Sequence, residues 1–351
     1  MQYYCNNTQY LTACSNHYRQ NLRNLNKESV MSILITVLRT TPESLVVFWM
    51  LARIMIPIMI ATELLLRIGV IEAVSPIFAP VMNLVGLPSA LGLAWLTAMI
   101  IGIWGAVPLL FTLVPVSSLS VADVTVFSAL ILFAHGLPVE QKIIEQVGPS
   151  FFATTTLRIF GGLIYAYLLH HILSTTNWLS ESVNPTWIPM SEAQDWFDFF
   201  FGLGDTMLWM LIILVVLSWS LEILKLTGVL TLIMKAISPV LRLAGIQREA
   251  GHLTMVGLIL GVSYGAGLLL QETRSNTISP RQIFLSCVFI GFSHSVIEDT
   301  LLVMALGADG YGVLLGRLIF TIAATAAIAA LLRYLPERTF FKYIFREQRT
   351  L

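Results

Sequence analysis

Charge is what this sequence has least of. Its 351 residues include 20 Lys or Arg and 20 Asp or Glu, only 11% in all, against 56% hydrophobic residues and a mean hydropathy of +0.80. Soluble domains carry roughly 25% charged residues. A soluble fold of this length could not cover its surface with so few, which excludes an ordinary cytosolic enzyme, a nucleic-acid binder and a disordered chain. The two signs cancel to a formal net charge of zero, so no overall field selects a partner. Cysteine is scarce as well. Cys5, Cys14 and Cys287 form no CxxC pair, which excludes a disulfide scaffold and a zinc ribbon. No HExxH spacing appears, and the chain is read as a non-enzyme with no resident cofactor. What is present is apolar length, enough for about six or more spans of ~20 residues. The expectation is an all-α polytopic membrane protein, with the lipid bilayer as its first partner.

Residues 1–44 form a polar N-terminal segment without a signal peptide, and its first thirty residues read as a disordered tail or a spurious start. The first strong apolar run is Leu45–Leu66, with Pro57 inside it. Val70–Gly86 is broken by Pro76 and Pro80 and reads as a bent interfacial or re-entrant helix. Leu87–Val114 is apolar, loosened by Gly102, Gly105 and Pro108. Val121–Ala134 is too short for a full span and predicts a re-entrant hairpin ending at Val147, before a span over Ser150–Leu173. An acidic linker, residues 174–205, holds five carboxylates and no Lys or Arg. After it the pattern restarts, with a second predicted hairpin at Ile283–Leu306 and a last span at Tyr311–Leu332, followed by a basic tail from residue 336.

The restart is an internal duplication with a constant offset of 159. Without gaps, residues 63–158 show 19 identities to 222–317 in 96 columns, where composition supplies roughly eight. The matches include Glu63 with Glu222, Pro80 with Pro239, Gly102 with Gly261, His135 with His294 and Arg158 with Arg317. Two repeats therefore cover 45–173 and 206–335. Lys and Arg mark the cytoplasmic side of a membrane. Arg19, Arg23, Lys27 and Arg39 precede the first span, and Arg333, Arg338, Lys342, Arg346 and Arg349 follow the last. Both termini are thus expected in the cytoplasm of an inner membrane, with the acidic linker outside; Arg274 and Arg281 go against the rule. Each repeat then crosses an odd number of times and is inverted relative to its twin, about three spans plus re-entrant or broken helices each. Such a plan recurs in secondary transporters.

The runs Gly261–Gly267 (GVSYGAG), Gly291–Asp299 (GFSHSVIED) and Gly316-Arg317 resemble the nucleoside-recognition, or Gate, domain over about residues 45–335. That domain occurs in concentrative nucleoside transporters, in the membrane part of ferrous-iron permeases and in spore-maturation proteins. The resemblance implies a membrane transporter of a small polar solute, nucleoside-like in one branch. It leaves a divalent-metal permease and a non-transporting scaffold as alternatives. A GxxxxGK[ST] motif is absent, so a complete GTPase-coupled iron permease is excluded. A homo-oligomer or a membrane partner is compatible with each of these.

The candidate site residues come from the residues themselves. His135 and His294 stand at the two predicted hairpin tips, followed by Glu140 and by Glu298-Asp299. Ionisable groups at membrane depth are costly unless used. Histidine titrates near neutral pH and a carboxylate binds a cation, so these five read as a substrate or coupling-ion site, for H⁺ or Na⁺. If a metal binds, His135 and His294 are its first candidates; the bland alternative makes them helix caps. Arg158 and Arg317, early in the last span of each repeat, either snorkel or answer an anionic substrate. Gly102, Gly105, Gly261, Gly265 and Gly267 are the expected helix breaks or close-packing points. Glu63 is expected to pair with Arg67, or with Arg158 across the repeat.

Overall fold

A run of apolar side chains in lipid must satisfy its backbone internally, so it folds as helix. The computed structural model describes Leu38 and residues 40–185, 195–274 and 278–346, and among these it contains helices and two isolated bridges but no strand. The expected disordered N-terminal tail and part of the acidic linker lie outside the described residues. The helices are α1 (Thr41–Arg67), α2 (Val70–Leu84), α3 (Leu91–Ile101), α4 (Ile103–Leu113), α5 (Val121–Phe133), α6 (Leu137–Val147) and α7 (Phe151–Thr176). A second series follows: α8 (Trp196–Leu226), α9 (Val229–Leu243), α10 (Arg248–Arg274), α11 (Pro280–Ser293), α12 (Glu298–Ala305) and α13 (Tyr311–Tyr334). Five helices are long and apolar enough to cross a membrane, or six when the bent pair α5–α6 counts as one. The protein is an all-α polytopic membrane protein.

The duplication is written into the backbone. Val70–Leu84 recurs 159 residues later as Val229–Leu243. The left-handed positions recur too: Gly69, Gly86, Gly102 and Gly148 each have a positive φ, as do Gly228, Gly245, Gly261 and Gly307. At the fifth pair, Gly136 (φ 57°) is matched by Ser295 (φ 49°), which holds a conformation a side chain rarely adopts. Local chemistry differs between the twins. Ser120 caps α5 in a reciprocal box with Asp123, while α11 starts at Pro280 behind Ser279.

The repeats pair as a two-fold would pair them. His135 meets His294 and Phe133 meets Phe292, each a residue against its own copy. Off this axis the contacts are reciprocal: Arg158 packs beside Gly291, and Arg317 reaches the carbonyl of Leu132, the residue 159 before Gly291. Phe133 lies edge-on to Phe320, and Gly161, its counterpart, lies against Phe292. Such isologous contacts are the signature of a two-fold. Burial sorts the helices around this axis. In the most apolar 18 residues of Pro280–Ala305, 72% are buried and the stretch sits at the centre, whereas in those of α1 only 17% are, and α1 presents Trp49, Met50 and Ile54 outward. Helices α1 and α8 pack on one another in a separate cluster of Ala52, Met55, Met59, Phe199, Met207 and Met210.

Two expectations need correction. The predicted hairpins do not reverse: α5 and α6 are bent by 40°, and α11 with α12 passes as a single 26-residue span. The α5–α6 bend suits a broken span or a re-entrant loop, and a side chain from α7 or α13 grips the chain at each break, as described below. Of the expected helix breaks, Gly102 and Gly261 interrupt their helices. Gly105 is a buried residue inside α4, where it lies close to Ile101, and Gly265 and Gly267 fall in the helical part of α10. Gly102 and Gly261 leave the helical torsions, and these three positions do not.

Candidate functional site

In the first repeat α3 and α4 fold back on each other at Gly102, so that Gly105 lies close to Thr97, and this turn meets the α5–α6 break; in the second repeat α10 is interrupted at Gly261 and meets the α11–α12 break. The α5–α6 break lies against the α3–α4 break, where the Gly136 N–H donates to the Ala98 carbonyl at 2.9 Å. In the second repeat the Val296 N–H donates to the Leu258 carbonyl at 3.2 Å, and the Ser295 hydroxyl lies against the Cα of Gly261. Gly102 (φ 127°, ψ 174°) and Gly261 (φ 77°, ψ 172°) occupy a region essentially closed to other residues. Each broken helix leaves carbonyls at its C-terminal end that need donors.

Arg158 and Arg317 supply those donors. The Arg158 guanidinium donates from Nε to the Phe133 carbonyl at 2.7 Å and from Nη2 to the His135 carbonyl at 3.2 Å, closing the end of α5. Arg317 repeats the pattern at the end of α11, with Phe292 at 2.8 Å and His294 at 3.3 Å, and adds the Leu132 carbonyl at 3.0 Å. A helix C-terminus carries about half a negative charge, so a cation there is stabilised. Both arginines are essentially inaccessible, 2% and 0% exposed. They neither snorkel nor stand free for an anion; they hold the broken spans together.

The histidines face each other across the axis. His135 Nδ1 lies 2.7 Å from the Ile131 carbonyl and His294 Nδ1 lies 3.1 Å from the Ile290 carbonyl. A carbonyl oxygen only accepts, so both Nδ1 atoms carry the hydrogen. In a neutral ring the other nitrogen is then a bare lone pair. The two Nε2 atoms are 3.2 Å apart. Glu140 Oε1 lies 3.3 Å from the His294 Nε2 and 3.7 Å from the His135 Nε2, while its Oε2 is held by Arg158 Nη1 at 2.5 Å. With both rings neutral, three buried acceptors converge with no hydrogen between them.

The second carboxyl position breaks the symmetry. Asp299 stands where the repeat offset places the partner of Glu140, one methylene shorter. Glu140 reaches its arginine; Asp299 does not, and both the Asp299 Oδ2 and the Arg317 Nη1 are buried without a hydrogen-bond partner. Asp299 Oδ2 lies 3.6 Å from the His135 Nε2 instead. The structure thus gathers six of the seven predicted site residues. Glu298, in the first turn of α12, is only partly buried and stands outside the group of His135, Glu140 and His294. Glu63 pairs with Arg67 at 2.7 Å, far along α1, on a polar cavity of about 600 Å³ that also takes in Glu72, Ser75, Ser89 and Thr112. Sequence reasoning passed over Ser295, whose alignment with Gly136 was the available signal. Gly261–Gly265 also has GxSxG spacing, but it lies inside a helix and not on a strand-to-helix turn, so it carries no hydrolase reading.

No family model matches the sequence, and no solved structure does. The chain is similar to an uncharacterized membrane protein, YvoD, of Bacillus subtilis (strain 168): 25% identical over 290 residues, which span 80% of this chain and 90% of the relative. That likeness runs across both repeats and agrees with the helices in making this a multi-pass membrane protein.

Proposed function

We propose that this protein is a membrane transporter of a small polar solute or a cation, working by alternating access around a central cation site. One observation carries the reading: His135 Nε2, His294 Nε2 and Glu140 Oε1 converge at the two-fold within 3.7 Å of one another, and with both rings neutral no donor stands among them. Buried acceptors facing one another are unfavourable until a positive charge sits between them. A group that needs a positive charge at the interface of two repeats is what ion coupling requires. The setting supports this, because broken helices crossing near a repeat interface are where transporters place their sites. The two-fold is read as lying in the membrane plane, from the Lys and Arg distribution, so that each repeat gates its own side. The motif resemblance to the Gate domain points the same way.

The test is uptake into proteoliposomes of the full chain, offered a mixture of radiolabelled nucleosides and, separately, Zn²⁺ with a fluorescent chelator inside. Uptake of either above protein-free liposomes is expected, lost in His135→Asn and His294→Asn. Asparagine keeps an N–H that can reach the i−4 carbonyl and removes the Nε2 lone pair. Uptake that survives both substitutions would reduce the histidines to helix caps. No uptake of either probe would favour the scaffold alternative.

A further inference from the structure

We infer that the central cation is a divalent transition metal, held by His135 Nε2, His294 Nε2 and Glu140 Oε1 with Asp299 Oδ2 as the fourth donor. The inference rests on the cation site proposed above and names what fills it.

The donor types make the first selection. Two imidazole lone pairs suit zinc, iron, copper or nickel, whereas sodium, magnesium and calcium take oxygen ligands. The spacings make the second. Tetrahedral bonds of about 2.0–2.1 Å put neighbouring ligand atoms roughly 3.3 Å apart. The separations here are 3.2 Å between the imidazoles, 3.3 and 3.7 Å from Glu140 to each of them, and 3.6 Å from Asp299 to His135. The ligand atoms of His135, His294 and Glu140 all lie within 4.8 Å of one another. A metal drawing the atoms of His135, His294 and Glu140 in needs displacements of tenths of an ångström, and Asp299, which stands outside that group, must move further to become the fourth donor.

A proton would be a poorer occupant. Shared between the two Nε2 atoms it satisfies the imidazoles and leaves Glu140 Oε1 with at best a branched contact, and it does nothing for Asp299. The orphaned Asp299 Oδ2 is the independent sign of a missing partner, because a carboxylate oxygen buried without a donor costs about 1–3 kcal/mol or more. Formal charge is already matched, Arg158 and Arg317 against Glu140 and Asp299, so a divalent ion adds two positive charges that the carbonyls closing α5 and α11 help to offset. The remaining ring nitrogens donate to Ile131 and Ile290 carbonyls, the outer-shell arrangement that orients metal-bound histidine.

The test is titration of the detergent-purified full chain with Co²⁺, read by its visible absorption and by metal content after gel filtration. One Co²⁺ per chain is expected, with the intense band of a tetrahedral site, displaced by Zn²⁺. His135→Asn and His294→Asn should each weaken binding by about a hundredfold or more, and Asp299→Asn by roughly tenfold. Variants that do not elute as the native species are replaced in the comparison by Glu140→Gln. Binding no tighter than in the double histidine variant, or a weak octahedral spectrum, overturns the inference. The two readings fail separately. Ion-dependent uptake without Co²⁺ binding leaves a transporter with another coupling ion, while tetrahedral Co²⁺ binding without uptake keeps the metal site and removes the transporter.

Discussion

At the scale of single residues the twin arginines make unequal bonds, and this gives a prediction about stability. Arg158 holds a buried carboxylate and two carbonyls, whereas Arg317 holds three carbonyls and leaves one Nη1 unpartnered. Removing one partner of a buried ion pair strands the other charge, at about 3–5 kcal/mol. Losing bonds to neutral carbonyls costs nearer 1–3 kcal/mol. Arg158→Met should therefore unfold at a clearly lower temperature than Arg317→Met in a thermal-shift measurement in detergent. Equal losses would mean that Glu140 finds another partner. Ser295 offers a second case. It adopts the torsions that Gly136 adopts in the other repeat, so Ser295→Gly should raise stability by roughly 0.5–1 kcal/mol through relief of a left-handed side chain. A lower melting temperature would show that the hydroxyl is needed beside Gly261.

At the scale of elements, the breaks in α3–α4 and α10 are equivalent in sequence but not in surroundings. A Cβ at Gly102 would meet nothing within 4 Å, while one at Gly261 would collide with the Ser295 hydroxyl. Both substitutions force alanine into glycine-only torsions, worth about 1–3 kcal/mol. Gly261→Ala adds a steric cost that Gly102→Ala lacks. The expected order in melting temperature is wild type, then Gly102→Ala, then Gly261→Ala, with partial recovery of the last in the Gly261→Ala, Ser295→Gly double variant. Recovery is the informative outcome, because it ties the two breaks into one junction. Similar close approaches close the ends of the central spans. Phe345 lies over Gly148 at the end of α6, and Val183 over Gly307 at the end of α12. The segments that follow α7 and α13 thus each cover a central span.

The whole molecule raises the question of which way each repeat faces. The exposed Ser182 follows α7 and the exposed Glu337 follows α13, so the two sites mark the exits of twin helices. Inverted repeats put those exits on opposite sides of the membrane. In a chain with Cys5 and Cys14 replaced by serine and Cys287 buried, a membrane-impermeant maleimide added to intact cells should label Ser182→Cys and spare Glu337→Cys. Labelling of both from the same side would make the repeats parallel. The likeness to a membrane protein over 290 residues bears on the membrane setting of both halves but not on this orientation.

Much was legible in the sequence. Apolar length and scarce charge determined a multi-span helical protein, since lipid leaves an apolar backbone no other way to satisfy its amides. The 159-residue offset paired His135 with His294 and Arg158 with Arg317 before any coordinate, because a duplication preserves the residues that hold equivalent breaks. Tertiary structure alone decided what those pairs do. A hairpin and a 40° bend share one pattern of short apolar runs around a break, and which of them forms depends on packing against other helices, where Arg158 and Arg317 close the ends of α5 and α11. Whether an arginine faces lipid, substrate or a carbonyl depends on helix packing. The facing of the two Nε2 atoms was out of reach for the same reason. It follows from hydrogen bonds to Ile131 and Ile290 and from a two-fold between residues 159 apart, neither of which a linear pattern encodes.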